Sequence, residues 1–242
     1  MRILLIASAY NSLTQRVHAE LRGRGHAVAV EVTPTGGDVV RAVDRHDPAL
    51  VVAPMLKAVI PREVWTARTC LIVHPGPVGD RGPSSLDWAI HEDATTWGVT
   101  VLQAEEEMDA GPVWATAAFP VARTGKSDLY RGEVSDAAVD AVLTAVERFA
   151  SGRHSPAGQS TLPVVPGART RPPMRQAARR IAWADDPTGT VLRKLRAADS
   201  QPGVLDELLD GEWFLHGGHP EYRLRGRPGE LLATRAGAVC RA

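Results

Sequence analysis

Strand-length apolar runs alternating with helix-period segments restrict this chain more than any other feature. Residues 2–8 (RILLIAS) form a short apolar run bounded by the polar turn Tyr10-Asn11-Ser12, which predicts a buried strand. Thr14–Leu21 carries helical spacing, and His26–Val32, through its alternating VAVEV, predicts a second strand. A short helix fits Asp38–Val43. Ala49–Ala53 reads as a third strand stopped by Pro54, and Leu71–His74 as a fourth stopped by Pro75-Gly76. Ser84 or Ser85 is placed to cap a helix running to His91, because a serine oxygen accepts from unpaired first-turn amides. Gly98–Gln103 and Val113–Val121 supply a fifth and a sixth strand, and Ser127 caps a long helix through Phe149. The pattern predicts an α/β fold, a mostly parallel sheet with helices on both faces. Strand-to-helix loops of such sheets gather at the carboxyl edge, where ligands bind. Ser8–Ser12, Pro54–Lys57 and His74–Ser84 are therefore expected on one rim.

Composition supports a packed chain. Of the 242 residues, 44% are hydrophobic and 23% charged, which suffices for one or two cores and excludes a disordered or collagen-like polymer. No apolar run approaches the ~20 residues needed to cross a bilayer. The N-terminus lacks the long apolar stretch of a secretory signal. Two cysteines, Cys70 and Cys240, exclude a disulfide framework and a four-cysteine zinc site, so the expected compartment is a reducing cytoplasm. Residues 1–150 form the expected main domain. A stretch over 151–176, with Pro156, Pro163, Pro166, Pro172 and Pro173, reads as a linker. Residues 177–242 read as a small β-rich domain: Ile181-Ala182-Trp183, a Thr188-capped helix to Ala197, and strand-like pieces at Trp213–Leu215, Tyr222–Leu224 and Leu231–Thr234. Gly237–Ala242 looks like a strand with no closing element, as if the chain were the front part of a longer protein. There are no internal repeats.

Chemistry is concentrated in two segments. His74 ends a strand and precedes Pro75-Gly76, so it sits at the predicted ligand edge, where an imidazole gives and takes a proton near neutral pH. The competing reading is a histidine that only caps the strand end. The second segment, Gln103–Pro112, holds Glu105, Glu106, Glu107 and Asp109. Three of these carboxylates read as a solvated loop. Asp109 differs, because apolar Met108 precedes it and Ala110-Gly111 allows tight packing, so it is placed to turn inward and meet the histidine. A carboxylate there would fix the ring and stabilise its cationic form. Other features weigh less. Eight basic residues over 168–197 (Arg169, Arg171, Arg175, Arg179, Arg180, Arg193, Lys194, Arg196) face only Asp185 and Asp186, which reads as a solvated surface before an anion or nucleic-acid site. His216 and His219 lack the further ligands of a metal site. Trp183 and Trp213 read as core.

The order strand, His74-Pro75, Arg81-Gly82, a helix ending Ala89-Ile90, the strand Gly98-Val99-Thr100, then Met108-Asp109-Ala110-Gly111 resembles the folate-dependent formyltransferases. That family includes methionyl-tRNA formyltransferase and the hydrolase domain of formyltetrahydrofolate dehydrogenase. The stretches Ala9–Gln15, His74–Ile90 and Trp97–Gln103 are similar to its hydrogenase-maturation branch. Ile72 stands where most members carry an asparagine that helps hold the oxyanion, and the loop from His74 to Arg81 is one residue shorter than the family's Ser-Leu-Leu-Pro version.

The resemblance implies a Rossmann-like formyltransferase sheet followed by a partial, open-barrel (OB-like) β domain. It implies formyl transfer from 10-formyltetrahydrofolate, with CoA as acceptor and formyl-CoA as the source of the carbon monoxide ligand of nickel–iron hydrogenase. His74 and Asp109 are the implied catalytic pair. Met55, Leu56, Lys57, Gln103, Ala104, Glu105, Glu106 and Met108 are the implied folate contacts, with Lys57 reaching a folate glutamate or a CoA phosphate. Asn11 and Ser12, at the first strand-to-helix turn, join Arg81 and Ser84 as substrate-binding residues. No metal is required, because thiol attack on an activated formamide needs only positioning and charge stabilisation. Expected partners are small molecules, a crotonase-like back half of the same chain and the hydrogenase maturation machinery, with no membrane. Transfer to aminoacyl-tRNA, and a folate-binding module without chemistry, are the alternatives.

Overall fold

A computed structural model describes residues 1–242. In chain order, the first part contains β1 (Arg2–Ala7), α1 (Ser12–Gly23), β2 (Ala27–Val32), α2 (Gly36–His46), β3 (Leu50–Met55), α3 (Arg62–Ala67), β4 (Cys70–His74), α4 (Ser85–His91), β5 (Thr96–Gln103), β6 (Val113–Pro120), α5 (Lys126–Arg131) and α6 (Glu133–Ser151). The six strands form one sheet in the order β2-β1-β3-β4-β5-β6. β1, β2, β3 and β4 pair in parallel, whereas β5 is antiparallel to both β4 and β6. The sheet is thus mostly parallel, with β5 alone reversed.

Alternation along the strands feeds both faces. Leu4 and Ile6 of β1, Val51 and Ala53 of β3 and Cys70 of β4 pack with Val39, Ala42 and Val43 of α2 and Val64 of α3. Ile3 and Leu5 point to the opposite face and are equally buried. Local capping sets the helix starts: Asn11 Oδ1 accepts from Thr14 N, and Thr35 with Asp38 forms a reciprocal box at α2. The single helix expected over Ser127–Phe149 is two helices, broken at Gly132. Ser127 does not cap the long helix; its hydroxyl donates to the Asp199 carboxylate.

The chain divides into two compact units. One comprises Met1–Ser85, Thr95–Val121 and Leu129–Pro172, the other Leu86–Ala94, Ala122–Asp128 and Pro173–Ala242. The proline-rich stretch carries structure inside the first unit, where backbone bridges join Ala157 to Val113 and Thr170 to Arg81. In the second unit α7 (Gln176–Arg179) and α8 (Thr188–Ala197) precede two antiparallel hairpins, β7 (Val204–Leu208) with β8 (Gly211–Leu215) and β9 (Leu231–Arg235) with β10 (Ala238–Arg241). Each hairpin turns on two positive-φ residues, Leu209-Asp210 and Ala236-Gly237, as a tight turn matching strand twist demands. Several expectations are corrected here. β10 closes on β9, so the final strand does have a partner. Tyr222–Leu224 is not a strand. Pro187, not Thr188, occupies the cap of α8, without a side-chain cap bond. Trp213 is 55% exposed rather than core. No helix is long and apolar enough to cross a membrane.

Candidate active site

β4 ends at His74, whose imidazole is 4% exposed and lies between two carboxylates. Nε2 is 3.1 Å from Asp80 Oδ2, and Nδ1 is 3.6 Å from Asp109 Oδ1. Asp80 is fully buried and accepts a second bond on its other oxygen, from Arg171 Nη1 at 3.0 Å. Arg171 in turn donates to Gly167 O and stands 5.9 Å from the centre of the Trp97 ring, whose indole N–H donates to Ser85 Oγ. A side chain at Gly76 would fall against His74 Nε2 and within 2.5 Å of Asp80 Oδ2. The bare backbone there is what lets the loop fold the aspartate back onto the ring.

Asp109 reaches His74 by a detour that follows from the reversed strand. β5 pairs Thr100 with His74 and Gln103 with Leu71, so it exits beside the start of β4, where Ala104 N donates to Cys70 O at 2.7 Å. The chain then turns back toward His74. Asp109 adopts a left-handed backbone (φ 55), which an aspartate tolerates better than most residues. Its Oδ2 accepts from Gly82 N at 3.1 Å, and its carbonyl accepts from Gln159 Nε2 at 2.7 Å. Arg81 pairs with Glu107, fastening the same loop. Gly111 closes the turn, because a Cβ there would run into the Gln103 carbonyl oxygen.

The remaining predicted residues occupy two places. β3 runs through Pro54, which does not stop it as expected, and ends at Met55; Leu56 follows, and it and Ile72 pack on the same apolar cluster. Lys57 is exposed, its amide donating to Ser8 Oγ, while Ser8 N donates to Met55 O, so the ends of β1 and β3 are tied together. Asn11 Oδ1 is committed to the cap of α1, accepting from both Thr14 N and Thr14 Oγ1, while Ser12 is exposed at its first residue. Gln103 Oε1 accepts from Trp114 Nε1, Ala104 is buried, Glu106 pairs at the surface with Arg62, and Met108 is 63% exposed. Glu105 is exposed and Ser84 half-buried. The loop after β5 therefore leaves from the end of β4 opposite the carboxyl rim. Cys70, on the same face of β4 as Ile72 and His74, is no nucleophile: burial pushes its thiol up to about 12.

Sequence reasoning missed Asp80, Arg171, Gly76 and Gln159. Asp80 had a local signal, being an acid six residues beyond His74 in a glycine-bounded loop. Arg171 and Gln159 lie in the stretch read as linker, where spacing carries no information about contacts with His74.

Residues 35–146 match the formyl transferase family model. The chain carries a formyl transferase domain. Hydrogenase maturation factor HoxX of Bradyrhizobium diazoefficiens is 49% identical over 243 residues, spanning all of this chain and 42% of that protein. The crystal structure of HypX from Aquifex aeolicus in complex with tetrahydrofolic acid superposes with a TM-score of 0.91 at 46% identity, again over all of this chain and 42% of the other. Methionyl-tRNA formyltransferase of Salinispora tropica is 31% identical over 165 residues, 64% of this chain and 49% of that protein. The chain thus spans less than half the length of HoxX and HypX.

Proposed function

We propose that this chain performs folate-dependent formyl transfer in hydrogenase maturation, taking the formyl group from 10-formyltetrahydrofolate and passing it to CoA, so that formyl-CoA supplies carbon monoxide for a nickel–iron centre. The observation that carries the reading is the buried imidazole held between Asp80 and Asp109 in a chain 46% identical to a tetrahydrofolate-bound HypX. The catalytic domain is assigned to residues 1–150, with the structured start of the 151–176 stretch added to it, and a partial OB-like domain to 177–242, with a crotonase-like domain and the hydrogenase maturation machinery as the remaining partners.

His74 and Asp109 are the proposed catalytic pair. The thiol sulfur forms its bond to the formyl carbon, the bond from that carbon to N10 breaks, and the thiol proton ends on N10. Nδ1 of His74 takes up the thiol proton as the sulfur attacks, and the imidazolium so formed donates it toward the carbonyl oxygen as charge gathers there before it passes to N10, the kind of preorganised donor that contributes most in a dry site. Asp109 orients the ring and takes part in moving the proton. Ile72 offers no oxyanion donor, so the task falls on His74 and backbone amides.

The residues present fit a pterin. Met55 and Leu56 supply the proposed apolar wall, and the Gln103–Met108 segment offers backbone. Within it, Gln103 N and Ala104 N are already bonded to Pro112 O and Cys70 O, so ring contacts are assigned to Glu105, Glu106 and Met108. Lys57 is exposed for the glutamate tail or a CoA phosphate, and Arg81, Ser84, Asn11 and Ser12 complete the substrate set. Transfer to aminoacyl-tRNA draws less support: of the eight basic residues over 168–197, Arg171, Arg179, Arg193 and Lys194 are already paired with Asp80, Asp87, Asp93 and Asp186.

Incubation with 10-formyltetrahydrofolate and CoA tests the reading, following formyl-CoA and free formate separately. Formyl-CoA is the expected product. Formate alone would replace transfer by hydrolysis, and neither product would remove the formyl reading.

A further inference from the structure

The geometry points to Asp80, clamped by Arg171, as the positioning residue that keeps a proton on His74 Nε2 and so makes Nδ1 the nitrogen that works with Asp109. The inference rests on the formyl-transfer reading for its kinetic consequence but not for its structural one.

Three observations carry it. Asp80 is the nearer carboxylate and the only one within hydrogen-bond reach, at 3.1 Å from Nε2 against 3.6 Å for Asp109 and Nδ1. Its second oxygen is taken by the Arg171 guanidinium at 3.0 Å, with neither side chain more than 5% exposed. A buried carboxylate in contact with a guanidinium has every reason to remain an acceptor, so the group facing it on the ring must be N–H. In the neutral ring only one nitrogen carries hydrogen, which leaves Nδ1 with its lone pair toward Asp109 and the space where substrate is proposed. Finally, Gly76 has no side chain, and any Cβ there would occupy the gap between Nε2 and Asp80 Oδ2. The loop is shaped around this one bond.

Asp109 is differently held. It accepts from a backbone amide, Gly82 N, is 10% exposed, and faces no cation in contact with it. The two carboxylates therefore divide the work. Asp80 fixes which tautomer the ring adopts, and Asp109 shares the mobile proton on Nδ1. Asp80 is not placed against the reacting atoms, because the imidazole stands between it and Asp109.

The test uses the 242-residue chain with nitrogen-15 in its histidines. His74 is assigned by the signal missing from His74→Gln. The expected spectrum of the neutral ring shows the proton on Nε2 and the unprotonated nitrogen at Nδ1. In Asp80→Asn, Arg171 retains the amide oxygen and turns the amide N–H toward Nε2, so the proton should move to Nδ1. A wrong tautomer held in that way costs hydrolytic triads up to about 10⁴-fold in kcat; here kcat should fall on that scale while KM for the formyl donor stays near the unsubstituted value. Arg171→Lys, which keeps the charge, should retain the Nε2–H tautomer. An unsubstituted chain with its proton on Nδ1 overturns the inference, and so does Asp80→Asn with unchanged tautomer and kcat. Should Asp80→Asn not fold, the unsubstituted and Arg171→Lys spectra decide. A chain that shows the tautomer shift yet never transfers formyl leaves this inference standing and removes the functional reading instead.

Discussion

Arg171 and Asp80 are 91 positions apart in the sequence and 3.0 Å apart in the fold, in a place where the carboxylate has no access to solvent. An ion pair so placed contributes little net stability, yet removing one partner strands the other as an uncompensated buried charge, at about 3–5 kcal/mol. Arg171→Met should lower the stability of the first unit by that amount, and Arg171→Lys by clearly less. Urea titration with an unchanged slope measures it. Equal losses in the two variants would mean that packing on Trp97, not charge, is what Arg171 supplies.

Two glycines with different surroundings give a paired prediction. Gly152 caps α6 at φ 62 with nothing near a would-be Cβ, so Gly152→Ala should cost only the left-handed strain of about 1–2 kcal/mol. Gly111 has backbone against it, the Gln103 carbonyl, which cannot swing aside. Gly111→Ala must displace the turn that presents Asp109, so its melting temperature should fall further than that of Gly152→Ala and its formyl transfer should drop as well. If the two alanine variants melt alike and turn over alike, the turn is looser than its geometry.

Most of the sheet was legible in the sequence because β1, β3, β4 and β5 bury short apolar runs that stand out from their surroundings, although β3 runs on through Pro54. The reversal of β5 was not, since hydrophobic pattern gives burial and not direction; Gly98–Gln103 reads the same either way. β7 was hidden for another reason. Its turn, Leu209-Asp210, adopts two positive φ angles without the asparagine or glycine that usually announces them, whereas Ala236-Gly237 announces the second hairpin. At the site, His74 and Asp109 could be found from local cues, a strand end and an acid beside Ala110-Gly111. Arg171 could not, because its partner lies in a distant loop and the prolines around it suggest a connector.

Cys70 provides a pH prediction. The thiol is fully buried, and burial raises its pKa to about 12, while in the unfolded chain it ionises near 8.5. The folded state thus keeps a proton that the unfolded state gives up, and the stability contributed is fully present below pH 8.5 and is lost as pH rises toward 12. The slope for this one proton is about 1.4 kcal/mol per pH unit. Urea midpoints between pH 8 and 10.5 should fall more steeply for the unsubstituted chain than for Cys70→Ala. In the folded protein at neutral pH a maleimide should label Cys240 and leave Cys70 untouched until denaturant is added. Parallel slopes, or rapid labelling of Cys70, would contradict the burial.

The division between chemistry and mere folate binding turns on His74 and Asp109. If the ring donates to the formyl oxygen as charge develops, His74→Ala should lose about 10²–10⁴-fold in kcat, the range a positioned acid–base group supplies, while tetrahydrofolate affinity measured by calorimetry changes little. Asp109→Asn keeps an oxygen for the Gly82 amide, so the loop should remain in place while the shared proton on Nδ1 loses its acceptor. Groups that act as one unit are not additive, so the double variant should be little slower than His74→Ala alone. A binding module would show something else: no product from the unsubstituted chain, and equal folate affinity in all four proteins. Additive losses in the double variant would instead mean that Asp109 acts on substrate independently, and the 3.6 Å approach of its carboxylate to Nδ1 would then be a neighbourhood rather than a partnership.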